Sequence, residues 1–170
     1  MLARAVSRAV TDHSGKGGEL PENDHGDRRI VAAVDGSACS VEALRWAVRQ
    51  AELTGATVEA VTAWQCPAAG GYGWGFAIAD DADYEELAAK ALGDAIGQAV
   101  DPGSDVRVRP VVAEGHPAAV LMEAAAGADL LVVGSRGHGG FASALLGSVS
   151  QYCTHHARCP VVVIRGRGGS

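Results

Sequence analysis

Aromatic residues are scarce in this chain, at 5% of its length, so its core must be built from aliphatic side chains. No apolar run approaches the roughly 18 residues needed to cross a bilayer, and the opening MLARAVSRAV lacks the continuous apolar stretch of a secretory signal. Basic charge is short as well. A formal net charge of -6 disfavours nonspecific binding to nucleic acid or to an anionic membrane, both of which need a basic footprint. Any anionic ligand must therefore be held by local groups. The four cysteines, Cys39, Cys66, Cys153 and Cys159, show no disulfide-framework spacing. They read as small core residues of a protein expected in the reducing cytoplasm.

What is present is globular: 48% of the 170 residues are apolar, 20% are charged, and 23 are glycine. That length suits one domain with a tail. Residues 1–27 mix charges with Gly, Pro, Asn and Asp and cannot bury enough apolar surface to offset ordering, so they are expected to be disordered. The SGKGG within them has neither a preceding strand nor the spacing of a phosphate-binding P-loop. From Arg28 the pattern changes. IVAAV reads as a strand buried on both faces, and Ser37 or Ser40 can cap a helix over about 39–54 that ends at Gly55. Its apolar positions are Val41, Leu44, Trp46, Val48 and Leu53. TVEAVTAW is the second strand, and residues 66–82 form a long Gly-rich loop whose tip is expected to be a lid or disordered, with Trp74 as a candidate lid residue. A helix follows in DYEELAAKALGDAIGQAV, with Leu87, Ala91, Ala95 and Ile96 at helical spacing. VRVRPVVA, a helix over about 117–126, DLLVVG, a helix over about 142–157 and VVVI complete the pattern. Alternating strands and helices specify an α/β fold: an open five-stranded parallel sheet with helices on both faces.

Ligands of such sheets bind beyond the carboxyl ends of the strands. There lie Asp35-Gly36-Ser37, Ala63-Trp64, Glu114-Gly115-His116-Pro117 and the loop GSRGHGG, residues 134–140. Four glycines in seven residues cost backbone entropy, but they let successive N–H groups converge on an anion at a helix N-terminus. Alone, the loop reads as a tight turn. Asp35 alone reads as a turn residue or helix cap, and Ser37 as a cap rather than a nucleophile, because DGSACS is not a nucleophile elbow. Cys153, His155, His156 and Cys159 resemble a metal cluster, yet on one helix they fan around its axis and cannot converge on an ion. Trp64, Tyr72, Trp74 and Phe76 read as core or as base-stacking residues.

The longer segment from Gly134 has Gly137 two residues on and, after nine more, Gly147-Ser148-Val149-Ser150. With VDGS, ALRWA, VTAW, EGHPA and HHARCPVVVIR, the chain over residues 28–167 resembles the universal stress protein family. The glycine pattern G-x2-G-x9-G-[ST] is that of its ATP-binding branch. The resemblance implies strand order 3-2-1-4-5, a single domain over 28–167 with residues 168–170 as a short tail, and a homodimer paired through the last strand. It also implies an ATP site. Ala33, Val34 and Asp35 would lie against the adenine and ribose, Ala63 would meet the adenine through its backbone, and Gly115 would admit the ribose. Gly134, Gly137, Gly147, Ser148 and Val149 would contact phosphate, with help from Ser135, Ser150, Arg136 and His138. A carboxylate such as Asp35 repels phosphate, which leaves a sugar hydroxyl, an adenine edge or a bridging Mg²⁺ as its partner. The function implied is a stress-response regulator or sensor with at most slow ATP hydrolysis. Two other readings stay open: an ATP-dependent nucleotidyl- or phosphotransfer enzyme, and a nucleotide-independent dimeric scaffold.

Overall fold

The computed structural model describes residues 28–65, 81–137 and 146–166. Its elements are β1 (Arg29–Ala33), α1 (Ala38–Thr54), β2 (Thr57–Trp64), α2 (Asp81–Ala99), β3 (Val108–Glu114), α3 (Pro117–Ala124), β4 (Leu130–Gly134), α4 (Ser148–His156) and β5 (Val161–Ile164). The five strands form one parallel sheet in the order β3-β2-β1-β4-β5. The expected tail, the tip of the Gly-rich loop with Tyr72, Trp74 and Phe76, and His138 all lie outside the described residues.

Central β1 is apolar without alternation because both its faces are covered: Ile30, Val31 and Ala32 are buried. Successive residues serve two cores. Ile30, Ala32 and Val132 join Val41, Leu44 and Val48 of α1 and Leu92 and Ala95 of α2 on one face. Val31, Val61, Leu131 and Val133 join Val120 and Leu121 of α3 and Cys153 of α4 on the other.

The helix signals in the sequence act mostly as read. Ser37 Oγ accepts the Ser40 N–H at 3.2 Å as the N-cap of α1, and Gly55, at φ 71°, closes the helix through a bond to Ala51 O. Three apolar positions do not face the core. Leu53, Leu87 and Ala91 are exposed, and the buried stripe of α2 is Leu92 and Ala95, with Ile96 and Ala99 packed beside them at i, i+3, i+4 and i+7 spacing. A leucine at helical spacing was thus a weaker guide than the register of the small residues that let α2 approach the sheet. Helix α3 ends at Ala124 rather than near 126, and Gly127 follows it at φ 71°.

The last helix was expected from about 142, but residues 146 and 147 are not helical, and α4 begins at Ser148. The cause is local. The Gly147 N–H, which a longer helix would spend on a carbonyl four residues earlier, instead donates to Ser135 O at 2.8 Å. That bond ties the start of α4 to the loop after β4.

Candidate functional site

A cavity of about 340 Å³ opens at the carboxyl ends of β1, β2 and β4, between the first turns of α3 and α4. Of the residues singled out in the sequence, it gathers Ala33, Val34, Asp35, Ala63, Gly134, Arg136, Gly137, Gly147, Ser148, Val149 and Ser150. Gly115 and Ser135 are not on its wall. Gly115 takes φ 142°, donates to Trp64 O at 2.9 Å and approaches Val120 so closely that a side chain there would be crowded. Ser135 is buried on the far side of the loop, with its hydroxyl 3.6 Å from Cys39 Sγ. The alternation of β4 turns Leu131 and Val133 to the α3–α4 face and Val132 and Gly134 to the α1 face, so Gly134 borders the cavity at the strand end rather than by alternation. Trp64 does not line it either.

Sequence reasoning missed most of the apolar part of the wall, Val61, Val133 and Leu121, together with the buried Ser40; Pro117, placed at the mouth by the sequence, is on it. The alternation of VTAW and LLVV carried that signal, since the side chains of Val61 and Val133 point to the face covered by α3 and α4.

Three loops shape the polar wall. After β1, Asp35 Oδ1 accepts the Ser37 N–H at 3.0 Å, and the Ser40 hydroxyl accepts the Asp35 N–H at 3.3 Å while donating to Ser37 O at 2.9 Å. Thr62 Oγ1 fixes the same bend from β2 by donating to Val34 O at 2.7 Å. After β4, Gly134 lies against the first turn of α1. A Cβ there would stand 3.1 Å from both the carbonyl carbon and the Sγ of Cys39. At Gly137 a Cβ would overlap Asp35 Oδ2 outright, so the missing side chain makes room for the carboxylate. Ser150, in the first turn of α4, donates its hydroxyl to Gly134 O at 2.5 Å and locks the helix start to the strand end.

Cys39 stands beneath this loop. Burial raises its thiol pKa, but hydrogen bonds from the backbone of Arg136, the Ser135 side chain and the backbones of Gly166 and Ser135 outweigh that, leaving it below the ordinary value. Cys153 is the opposite case: burial among apolar neighbours pushes it up to about 11. Among the described residues no group of three or more His, Cys, Asp or Glu is placed to hold a metal ion, and Cys39, Cys153 and Cys159 are free thiols. No described helix is long and apolar enough to cross a membrane.

The arrangement joins an apolar slot to a wall of glycine backbone and a helix N-terminus, the combination that accommodates a flat heterocycle and an anion together. The profile of the universal stress protein family matches residues 27–165. A universal stress protein of Mycobacterium tuberculosis is 33% identical over 152 residues, covering 86% of this chain and 48% of that protein. The chain thus spans about half the length of the curated relatives it matches. Among solved structures, the universal stress protein UspA of Lactobacillus plantarum is 26% identical with a TM-score of 0.65, covering 81% of this chain and 97% of that one. A universal stress protein solved in complex with cAMP shares the fold at a TM-score of 0.57 and 24% identity, covering 82% of this chain and 98% of its own. The profile match spans the whole sheet and both halves of the glycine pattern, and this chain belongs to the universal stress protein family.

Proposed function

We propose that residues 28–167 form one cytoplasmic domain that binds an adenine nucleotide, ATP foremost, and serves as a nucleotide-dependent regulator of the stress response. The observation that carries this reading is the meeting of Gly134 and Gly137 with Gly147–Ser150 in the lining of one cavity that Val61, Val133 and Leu121 also line. Phosphates take the glycine wall and the α4 N-terminus; the base takes the apolar slot beside Ala63, with Ala33, Val34 and Asp35 along the sugar side and Gly115 behind it. Arg136 adds charge from the loop. A related fold that holds cAMP lends the adenine assignment support.

The role is sensing rather than rapid turnover. Backbone N–H groups and a helix dipole hold ground-state phosphate without by themselves stabilising a transition state, so ATP hydrolysis is at most slow. An oxygen-donor ion such as Mg²⁺ fits here in its usual manner, through one carboxylate and the nucleotide's own phosphates, with Asp35 and the Ser148 hydroxyl on the cavity wall.

Pairing of two copies through β5 belongs to the same proposal. The two sheet edges differ: β3 carries exposed Arg109 and Pro110, which discourage strand addition, whereas β5 is Val-Val-Val-Ile with every residue only half-buried. Light scattering of the wild type and of Val162→Lys tests it; a monomeric wild type at micromolar concentration overturns the pairing.

The nucleotide itself is tested by calorimetric titration of the purified protein with ATP, ADP and AMP in magnesium. Micromolar binding that is lost in Gly137→Val is the expected result. Absence of binding by every adenine nucleotide overturns the reading.

A further inference from the structure

The sheet face that carries α3 and α4 is left open at its β3 end. Val106, Val108 and Val112 pack against the α1–α2 core, so by alternation Arg107, Arg109, Val111 and Ala113 belong to the opposite face. Helix α3 packs over β2 and against α4 and stops short of covering β3. Arg107 and Arg109 are accordingly exposed, and Val111 and Ala113 are only half-buried. Glu59 stands directly across the β2–β3 ladder from Arg109, but its carboxylate is taken from the other side by Arg29. Among the described residues neither Arg107 nor Arg109 has a hydrogen bond or an ion pair. Two uncompensated cations thus border an apolar strip, in a chain whose net charge is -6.

A segment of complementary charge joins the sheet beside them. Residues 19–27, ELPENDHGD, carry Glu19, Glu22, Asp24 and Asp27 and neither lysine nor arginine. They lead into β1, where Arg29 stands opposite Thr57; the next residue of β2, Val58, donates its N–H to Arg107 O at 2.9 Å. Arg107 therefore lies about 10 Å, two strand spacings, from the point where the segment meets the sheet. Nine extended residues reach up to about 30 Å, enough to pass Arg109 and arrive at Val111.

We propose that residues 19–27 dock on the open face of β3 in their own chain, with carboxylates on Arg107 and Arg109 and Leu20 against the Val111–Ala113 strip. Tethering favours these carboxylates over free ones, because a short linker holds them at a local concentration of about millimolar. A segment too polar to build a core is still held at a surface by such pairs. Exposed ion pairs are individually weak and screened, so the docking is reversible and is released by salt.

The test uses the full-length chain carrying Arg107→Lys, which keeps the charge and supplies an amine. A water-soluble carbodiimide joins that amine to a carboxylate in contact with it, as an amide, and peptide mass spectrometry locates the link. A link from position 107 to a carboxylate within 19–27 is expected, lost in about 0.5 M NaCl. Links only to carboxylates outside 19–27, or none, overturn the proposal. In a mixture of ¹⁴N and ¹⁵N protein the links should stay within one chain; links between copies alone overturn the intrachain assignment. A second readout needs no crosslinker. A glutamate-specific protease should cut after Glu19 and Glu22 about threefold faster or more in the Arg107→Gln, Arg109→Gln double variant than in wild type at low salt, and at equal rates in high salt. Equal rates at low salt overturn the docking.

Discussion

Adding one methyl group at Gly134 tests whether the strand end and α1 are in direct backbone contact. Gly134 is not among the glycines with positive φ, so alanine is sterically permitted there by its own backbone. The cost must come from neighbours. The new Cβ would lie 3.1 Å from the carbonyl carbon of Cys39, 3.1 Å from its Sγ and 3.3 Å from Arg136 O, against the roughly 3.5–4.0 Å at which carbon contacts are comfortable. Neither side yields easily, since the α1 turn is held by the Ser37 cap and Gly134 by its pairing with Ile164. Overpacking of this kind costs about 1–3 kcal/mol, a fall in Tm of roughly 3–10 °C for a domain of this size. Gly147→Ala is the control: its Cβ meets nothing closer than 3.7 Å, and φ is -70°. There the loss of N-cap preference and the gain from a less flexible unfolded chain roughly cancel, leaving stability within about 0.5 kcal/mol of wild type. Urea unfolding of the three proteins decides. If Gly134→Ala matches wild type, or Gly147→Ala is the more damaged, the close approach of β4 to α1 is wrong.

Further consequences are accessible to simple assays. Arg29 donates to Glu59 Oε2 at 2.6 Å and to the carbonyls of Ala124 and Ala126 at the end of α3, at 2.8 and 2.7 Å. Arg29→Ala should cost about 2–4 kcal/mol in denaturant titration, and Glu59→Gln clearly less, because the α3 carbonyls keep their donor. Ser150→Ala should lose about 1–3 kcal/mol, since it removes the buried donor to Gly134 O; an unchanged midpoint would refute that bond. Native-state alkylation with iodoacetamide, read by peptide mass, should label Cys39 well before Cys153. A thiol held below its ordinary value carries a larger thiolate fraction at pH 8 than one pushed up to about 11, which is thiolate in only about one molecule in a thousand. Labelling of Cys153 first would reverse the assignment of the two environments.

Most of this architecture was legible because its causes are local. The runs IVAAV and LLVVG, the Ser37 cap and the Gly55 stop each act within a few residues, and the alternation of elements then dictates a parallel sheet. What escaped was decided by contacts distant in sequence. The start of α4 is set by Ser135, twelve positions before Gly147, and no helix-propensity pattern encodes that bond. Leu87 and Leu92 look equivalent along the chain, and only the docking of α2 distinguishes the exposed one from the buried one. In the cavity, glycines and polar residues announced themselves by type, while Val61, Val133 and Leu121 were indistinguishable from core until the sheet showed which face they serve.

The two faces of the sheet are covered unequally. One carries α1 and α2, of 17 and 19 residues; the other carries α3 and α4, of only 8 and 9. At 1.5 Å per residue the second pair is shorter by roughly 14 Å or more, and its first turns begin at the rim of the cavity. The recess is thus made by subtraction: it is the volume that two full-length helices would have filled. One additional turn at the start of α4, about 5.4 Å, would carry helix into that volume. An insertion before α4 that let residues 146 and 147 become helical would therefore carry helix toward the recess.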